Sequence, residues 1–226
     1  MRILHLSDTH GFHRQINIPA GIDLVAFTGD ESNHINPAIN FNEFLDFMEW
    51  FRDLPVMHKL FIPGNHSTYI YRHESEAGEI LEKNGIRLLN RKLINVAGIN
   101  FYGEATVPIY GDWAYMANRN KMSKYWEHIP EETNVLLTHT PPKGILDTTE
   151  NRSHELEMAG CSALRKKVEK LPALQAHLFG HIHDYKQIIN TGTRQIGTVT
   201  FSNAAAVKDN EFQKGIHHHG NIIEIP

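Results

Sequence analysis

Five short apolar runs in this chain each stop at a cluster of polar, ligand-capable side chains, and that repetition constrains the fold more than any other feature. Ile3 to Leu6 runs into Ser7-Asp8-Thr9-His10-Gly11, and Leu24 to Phe27 into Thr28-Gly29-Asp30. Val56 to Ile62 runs into Pro63-Gly64-Asn65-His66, Val135 to Leu137 into Thr138-His139-Thr140-Pro141-Pro142, and His177 to Phe179 into Gly180-His181-Ile182-His183-Asp184. Short apolar runs bounded by turn residues read as buried strands. Open α/β sheets bind ligands just beyond the carboxyl ends of their strands, so groups far apart in sequence can converge there. Glycine beside four of the clusters suits sharp turns and close backbone approach.

The intervening segments carry helical spacing. Phe41, Phe44, Leu45 and Met48, widened by Phe47, Phe51 and Leu54, predict a helix that Pro55 ends. Ala77, Ile80 and Leu81 predict a short helix stopped at Gly85, and Leu164, Val168 and Leu171 another before Pro172. Further strands are expected at Leu93 to Val96 and Ile99 to Gly103, with strand-like pieces in the tail at Gln187 to Asn190, Thr198 to Ser202 and Ile222 to Ile225. The alternation predicts an α/β class protein. With no repeat or low-complexity linker, residues 1–226 are expected to form a single domain.

Composition narrows the function. Histidine occurs 16 times, against 22 lysines and arginines together, and histidine is the commonest metal ligand and proton shuttle near neutral pH. The net charge of −4 argues against a track for long nucleic acids. The single cysteine, Cys161, rules out an internal disulfide and any multi-cysteine zinc site. No apolar run approaches the roughly 20 residues of a membrane span, and the opening segment lacks the apolar stretch of a signal peptide, so a cytoplasmic location is the expectation.

Taken singly, Gly29-Asp30 is an ordinary turn and Asp8-x-His10 ordinary surface polarity. Taken together, Asp8, His10, Asp30, Asn65, His139, His181 and His183 offer oxygen and nitrogen donors and no thiolate, which suits Mn, Fe or Zn. One ion with an open position needs about three protein ligands. Seven donors suggest two ions sharing a carboxylate, a recurrent device for phosphate hydrolysis.

The motifs Asp8-x-His10, Gly29-Asp30, Gly64-Asn65-His66, His139 and Gly180-His181-x-His183, in that order, resemble the calcineurin-like metallophosphoesterase superfamily. Asp8-Thr9-His10-Gly11, the Tyr102-Gly103 strand end, Trp126-x-x-Ile129-Pro130-Glu131 and Leu137-Thr138-His139-Thr140-Pro141-Pro142 look like its brain-type metallophosphoesterase-domain subgroup and bacterial relatives. The resemblance implies a four-layer αββα sandwich of two mixed sheets flanked by helices. It implies that Asp8, His10 and His183 bind one metal, that Asn65, His139 and His181 bind the second, and that Asp30 bridges them. His66 would face the substrate phosphate as the catalytic imidazole, with Asn65 beside it, while a hydroxide generated between the cations attacks phosphorus in line. Ser67 departs from the acidic residue that many relatives carry after the histidine.

The expected substrate is a small phosphoester. Six aromatic residues, Tyr102, Tyr110, Trp113, Tyr115, Tyr125 and Trp126, fall in one stretch, where they either stack on a nucleobase or fill the core. With the subgroup resemblance, this favours a phosphodiesterase acting on small nucleotides, including cyclic ones, with Tyr110 and Trp113 as substrate contacts. A broad phosphomonoesterase, a nuclease and a non-enzymatic scaffold of the same fold are the alternatives. His5 and His177 lie within strand patterns and are expected to be packed, and His217-His218-His219 to be a loop.

Overall fold

The computed structural model describes residues 1–226. The first half alternates strand and helix: β1 (Arg2–Leu6), β2 (Leu24–Phe27), α1 (Pro37–Asp53), β3 (His58–Phe61), α2 (Thr68–Arg72), α3 (Glu74–Lys83) and β4 (Ile86–Leu88). Strands β5 (Lys92–Val96) and β6 (Ile99–Glu104) form a hairpin, followed by the two-residue strands β7 (Val107–Pro108) and β8 (Met116–Ala117), and by α4 (Ser123–Trp126). Then come β9 (Val135–Thr138), the hairpin β10 (Thr148–Glu150) and β11 (Leu156–Met158), α5 (Ser162–Val168), β12 (Ala176–Phe179), β13 (Gly192–Ile196), β14 (Val199–Asn203) and β15 (Asn221–Glu224).

Two mixed sheets carry the fold. One has the order β15-β1-β2-β3-β4, parallel except for β15, and the other β13-β14-β12-β9-β6-β5, parallel from β14 to β6 with antiparallel edges. Strand alternation sorts the apolar side chains into three layers. Leu4, Leu6, Val25, Phe27 and Phe61 point outward to Phe44, Phe47, Met48 and Phe51 of α1. Ile3, Leu24, Ala26 and Leu60 point the other way, onto Val135, Leu137, Ala176 and Leu178 of the second sheet. The far face of that sheet, with Leu136 and Phe179, is covered by Trp126, Leu164 and Val168. The result is the helix–sheet–sheet–helix sandwich expected.

Local chemistry explains the elements. Helix α1 begins where the Asn36 side chain accepts the Ala38 N–H at 2.9 Å and Pro37 takes the first turn, where a missing N–H costs nothing. Its buried phenylalanines each contribute on the order of 2 kcal/mol by leaving water.

One strand reading differs from the structure. Gln187 to Asn190 is not a strand: Tyr185 and Ile188 close a tight turn on each other, and the strand lies later, at β13. The apolar residues there gave the strand signal, yet Ile189 is exposed. The aromatic residues of the 102–126 stretch divide, with Trp126 and Tyr102 buried in the core and Tyr110 exposed. His5 and His177 are packed as expected, bonded to Ser202 and Thr28, and to Thr138, respectively.

Candidate metal centre

The ends of β1, β2, β3, β9 and β12 open on one place. The first two loops are joined through their backbones: Asp8 N–H donates to Gly29 O at 2.8 Å, and His10 N–H to Asp30 O at 3.0 Å. Asp8, His10, Asp30 and His181 all have positive φ, between 45° and 70°. Non-glycine residues rarely sit there, and such strain concentrates where a structure over-determines a functional conformation. At Gly64 and Gly180 the chain passes so close to the Asp30 and Asp8 carboxylates that a Cβ would collide with them.

The side chains gather in three overlapping groups, of which the one formed by His10, Asp30 and His66 links the two outer ones. Ligand atoms of Asp8, His10 and His183 lie within 4.8 Å of one another, and so do those of Asp30, His139 and His181. His183 Nε2 stands 3.1 Å from Asp8 Oδ1 and 3.4 Å from His10 Nε2. In the second group His139 Nε2 lies 3.2 Å from Asp30 Oδ2 and 3.0 Å from Asn65 Oδ1. Asp30 Oδ2 also lies 4.0 Å from His10 Nε2, so this carboxylate stands between the groups. The structure thus brings all seven sequence-named donors together.

Hydrogen bonds aim the imidazoles inward. A carbonyl only accepts, so His139 Nδ1–H donates to Thr28 O at 2.7 Å and leaves Nε2 for the centre. His183 does the same through Asp209, with Nδ1 2.6 Å from Oδ1. His66 Nδ1–H donates to Asn33 O at 2.9 Å, and its N–H to Asp30 Oδ1 at 2.7 Å. Its Nε2 is therefore the atom free to exchange a proton.

The electrostatics suit a cation. Burial works against ionising Asp8 and Asp30, but His139 with its neighbouring imidazoles outweighs it, holding Asp8 at about 2 and Asp30 well below the usual range. Burial likewise opposes a charged His139, yet Asp30 and Asp8 carry it up to about 9. The chain alone thus keeps protons on nitrogens aimed at carboxylates, and a cation can take the place of those protons. Burial, with its imidazole neighbours, pushes His10 and His181 down to about 3, so both offer lone pairs. The residues fit a pair of cations bound by nitrogen and oxygen.

A cavity of about 360 Å³ lies over this centre. His10, Asp30, Asn65, His66, His181 and His183 face it, and Tyr110, Arg119, Thr149 and Glu157 line it further out. Tyr110 reaches the centre, its hydroxyl accepting from Asn65 Nδ2 at 3.0 Å. Trp113 is not on the cavity wall: its ring lies on His66, with centroids 4.1 Å apart and planes at 29°. Sequence reasoning missed Asp209, which carries no motif and follows His183 by 26 residues. It also missed Glu31, whose carboxylate takes the Ser67 hydroxyl at 2.7 Å and so supplies an acidic group where Ser67 replaces one.

Residues 1–185 match the family described as Calcineurin-like phosphoesterase. The chain belongs to this family. A UPF0046 protein of Caenorhabditis elegans is 29% identical, over 94% of this chain and 72% of its own length. Metallophosphoesterase domain-containing protein 1 of Homo sapiens is 28% identical over 90% of the chain, which spans 65% of the human protein. The TT1561 protein of Thermus thermophilus has a solved structure of the same fold, with a TM-score of 0.61, 13% identity, and coverage of 91% of this chain and 90% of its own. A family member with these donors is a metal-dependent phosphoesterase, and the family implies a centre of two divalent ions. No helix is long and apolar enough to cross a membrane.

Proposed function

We propose that this chain is a phosphodiesterase for small nucleotides, cyclic ones included. The observation that carries the reading is the position of Asp30 between two groups of donors at the floor of one open cavity. Two cations held there, one by Asp8, His10 and His183 and one by Asn65, His139 and His181 with Asp30 shared, would polarise phosphoryl oxygens and make water more acidic. The remaining chemistry belongs to the chain. His66 presents Nε2 to the cavity and can donate a proton to a leaving oxygen or hold an equatorial oxygen. Its backbone bond to Asp30 and the indole of Trp113 fix where that nitrogen points.

Substrate choice rests on the outer wall. Tyr110 offers an aromatic face beside the donors, on which a base can stack. Arg119 is the one lysine or arginine on the cavity lining, too little cationic surface for a long polymer but enough for one anionic group. The cavity volume lies within the range of small-molecule sites. We place the substrate in solution and assign no membrane or long nucleic-acid partner. Rates on 2′,3′- and 3′,5′-cyclic nucleotides, bis(p-nitrophenyl) phosphate and p-nitrophenyl phosphate, measured side by side with Mn, test this. Diester hydrolysis should exceed monoester hydrolysis, and a monoester rate far above every diester rate overturns the proposal.

A further inference from the structure

The carboxylate on His183 belongs to a segment outside the family match, which ends at residue 185. This segment is a short 3-10 turn, Asp209–Lys214, fastened along the loop that carries His183. Asp209 N–H donates to Asp184 O at 3.0 Å, Lys186 N–H donates to Asn210 Oδ1 at 2.7 Å, and Asp184 and Lys208 form a parallel bridge. The backbone of Asp209 is therefore tied to the residue after His183, while its side chain takes the His183 Nδ1–H. Lys214 in the turn and Lys208 just before it both pair with Glu211, at 2.8 and 3.5 Å. One residue further, Phe212 sets its ring edge to face against His10 at 5.6 Å and against Phe12 at 5.6 Å. One turn thus touches two of the three donors of one group, and it makes no ring or hydrogen-bond contact with the other group.

We propose that the Asp209–Lys214 turn is a clamp dedicated to the Asp8–His10–His183 cation site, with Asp209 as the positioning residue for His183. The inference rests on reading the centre as a two-cation site. An imidazole that donates Nδ1–H to a carboxylate is fixed in tautomer and orientation and made a stronger donor at Nε2, and removing such a partner costs about 10–100-fold in metal affinity. Because Asp209 is held by backbone bonds independent of any ion, the orientation exists before the ion arrives. His139 donates the equivalent hydrogen bond to a neutral carbonyl, Thr28 O, so loss of Asp209 should discriminate between the two ions.

The test is calorimetric titration of chelator-stripped protein with Mn²⁺ alone, for wild type, Asp209→Ala and Asp209→Asn. Wild type should take up two ions. In Asp209→Ala one ion should bind about 10–100-fold more weakly and the other unchanged. Asp209→Asn should fall between, because an amide oxygen still accepts from Nδ1–H but carries no charge. In the metal-free protein, the ¹⁵N–¹H signal of His183 Nδ1–H should be visible in wild type and lost in Asp209→Ala, which a merely structural role would not require. Two ions bound by Asp209→Ala as tightly as by wild type, or both ions weakened alike, overturns the clamp and leaves the two-cation reading standing. A wild-type chain that binds no Mn²⁺ overturns both. If the alanine variant does not fold, wild-type affinities for both ions in Asp209→Asn overturn the clamp by themselves.

Discussion

The imidazole of His66 stacks on the indole of Trp113, with centroids 4.1 Å apart and planes at 29°. His10 meets the same imidazole edge to face at 4.7 Å. His66 is thus held by two rings and two hydrogen bonds, and only Nε2 is left for chemistry.

Trp113→Ala should therefore slow turnover by about 10–100-fold through misplacement of His66, while leaving two metal ions per chain. His66→Ala should do more, on the order of 10²–10⁴, for a lost proton donor. Steady-state rates paired with metal analysis separate these effects from metal loss. Equal turnover in wild type and His66→Ala would remove His66 from the reaction.

Asp30→Asn should lower bound metal and reduce turnover by on the order of 10²-fold or more, since it removes the anionic oxygen shared by the two groups. Metal analysis after gel filtration checks this, and an Asp30→Asn protein with full metal content would show that the carboxylate charge is not shared.

Gly180→Ala places a methyl group against the Asp8 carboxylate and the Ser7 hydroxyl, both fully buried. Nothing there can move into solvent, so the substitution should cost about 1–3 kcal/mol or more and weaken metal binding. Thermal melting with and without Mn²⁺ measures it. A variant that melts and binds like wild type would mean that the loop is looser than described.

Acid should destabilise the chain even without metal. Burial pushes His5 and His177, which are not donors, down to about 3 in the folded state. Between pH about 6.5 and 3 the unfolded chain carries protons on these two groups and the folded chain does not, so stability falls as pH drops through that window. The slope is up to about 1.4 kcal/mol per pH unit for each histidine. Denaturant melts of chelated protein at pH 7 and pH 5 should show the loss, and His177→Gln should reduce it. A pH-independent midpoint for wild type across that interval would contradict buried neutral imidazoles.

The site was legible to an unusual degree because its donors come in short motifs placed directly after apolar runs. Asp8, His10, Asp30, Asn65, His139, His181 and His183 can each be picked out by residue type, and the glycines beside them mark where the backbone crowds a carboxylate. Trp113 could not be placed this way. An aromatic residue in a loop carries the same local signal whether it meets substrate, core or, as here, the face of the His66 imidazole. The β10–β11 hairpin was missed for a related reason: its residues are polar or exposed and show no alternation to read.

The sequence by itself determined which atoms could coordinate a cation, the order in which they appear, and the strand and helix periodicities that sort apolar side chains onto faces. Those properties are local, set by residue chemistry and by spacings of two or three to four residues. Only the tertiary structure decided that Asp30 stands between the donor groups, that the second imidazole nitrogens find Thr28, Asn33 and Asp209, and that a turn near the end of the chain closes over His10 and His183. Each of those relationships depends on strand order and on contacts between segments far apart in the chain, and no local pattern specifies which distant partner will be packed alongside.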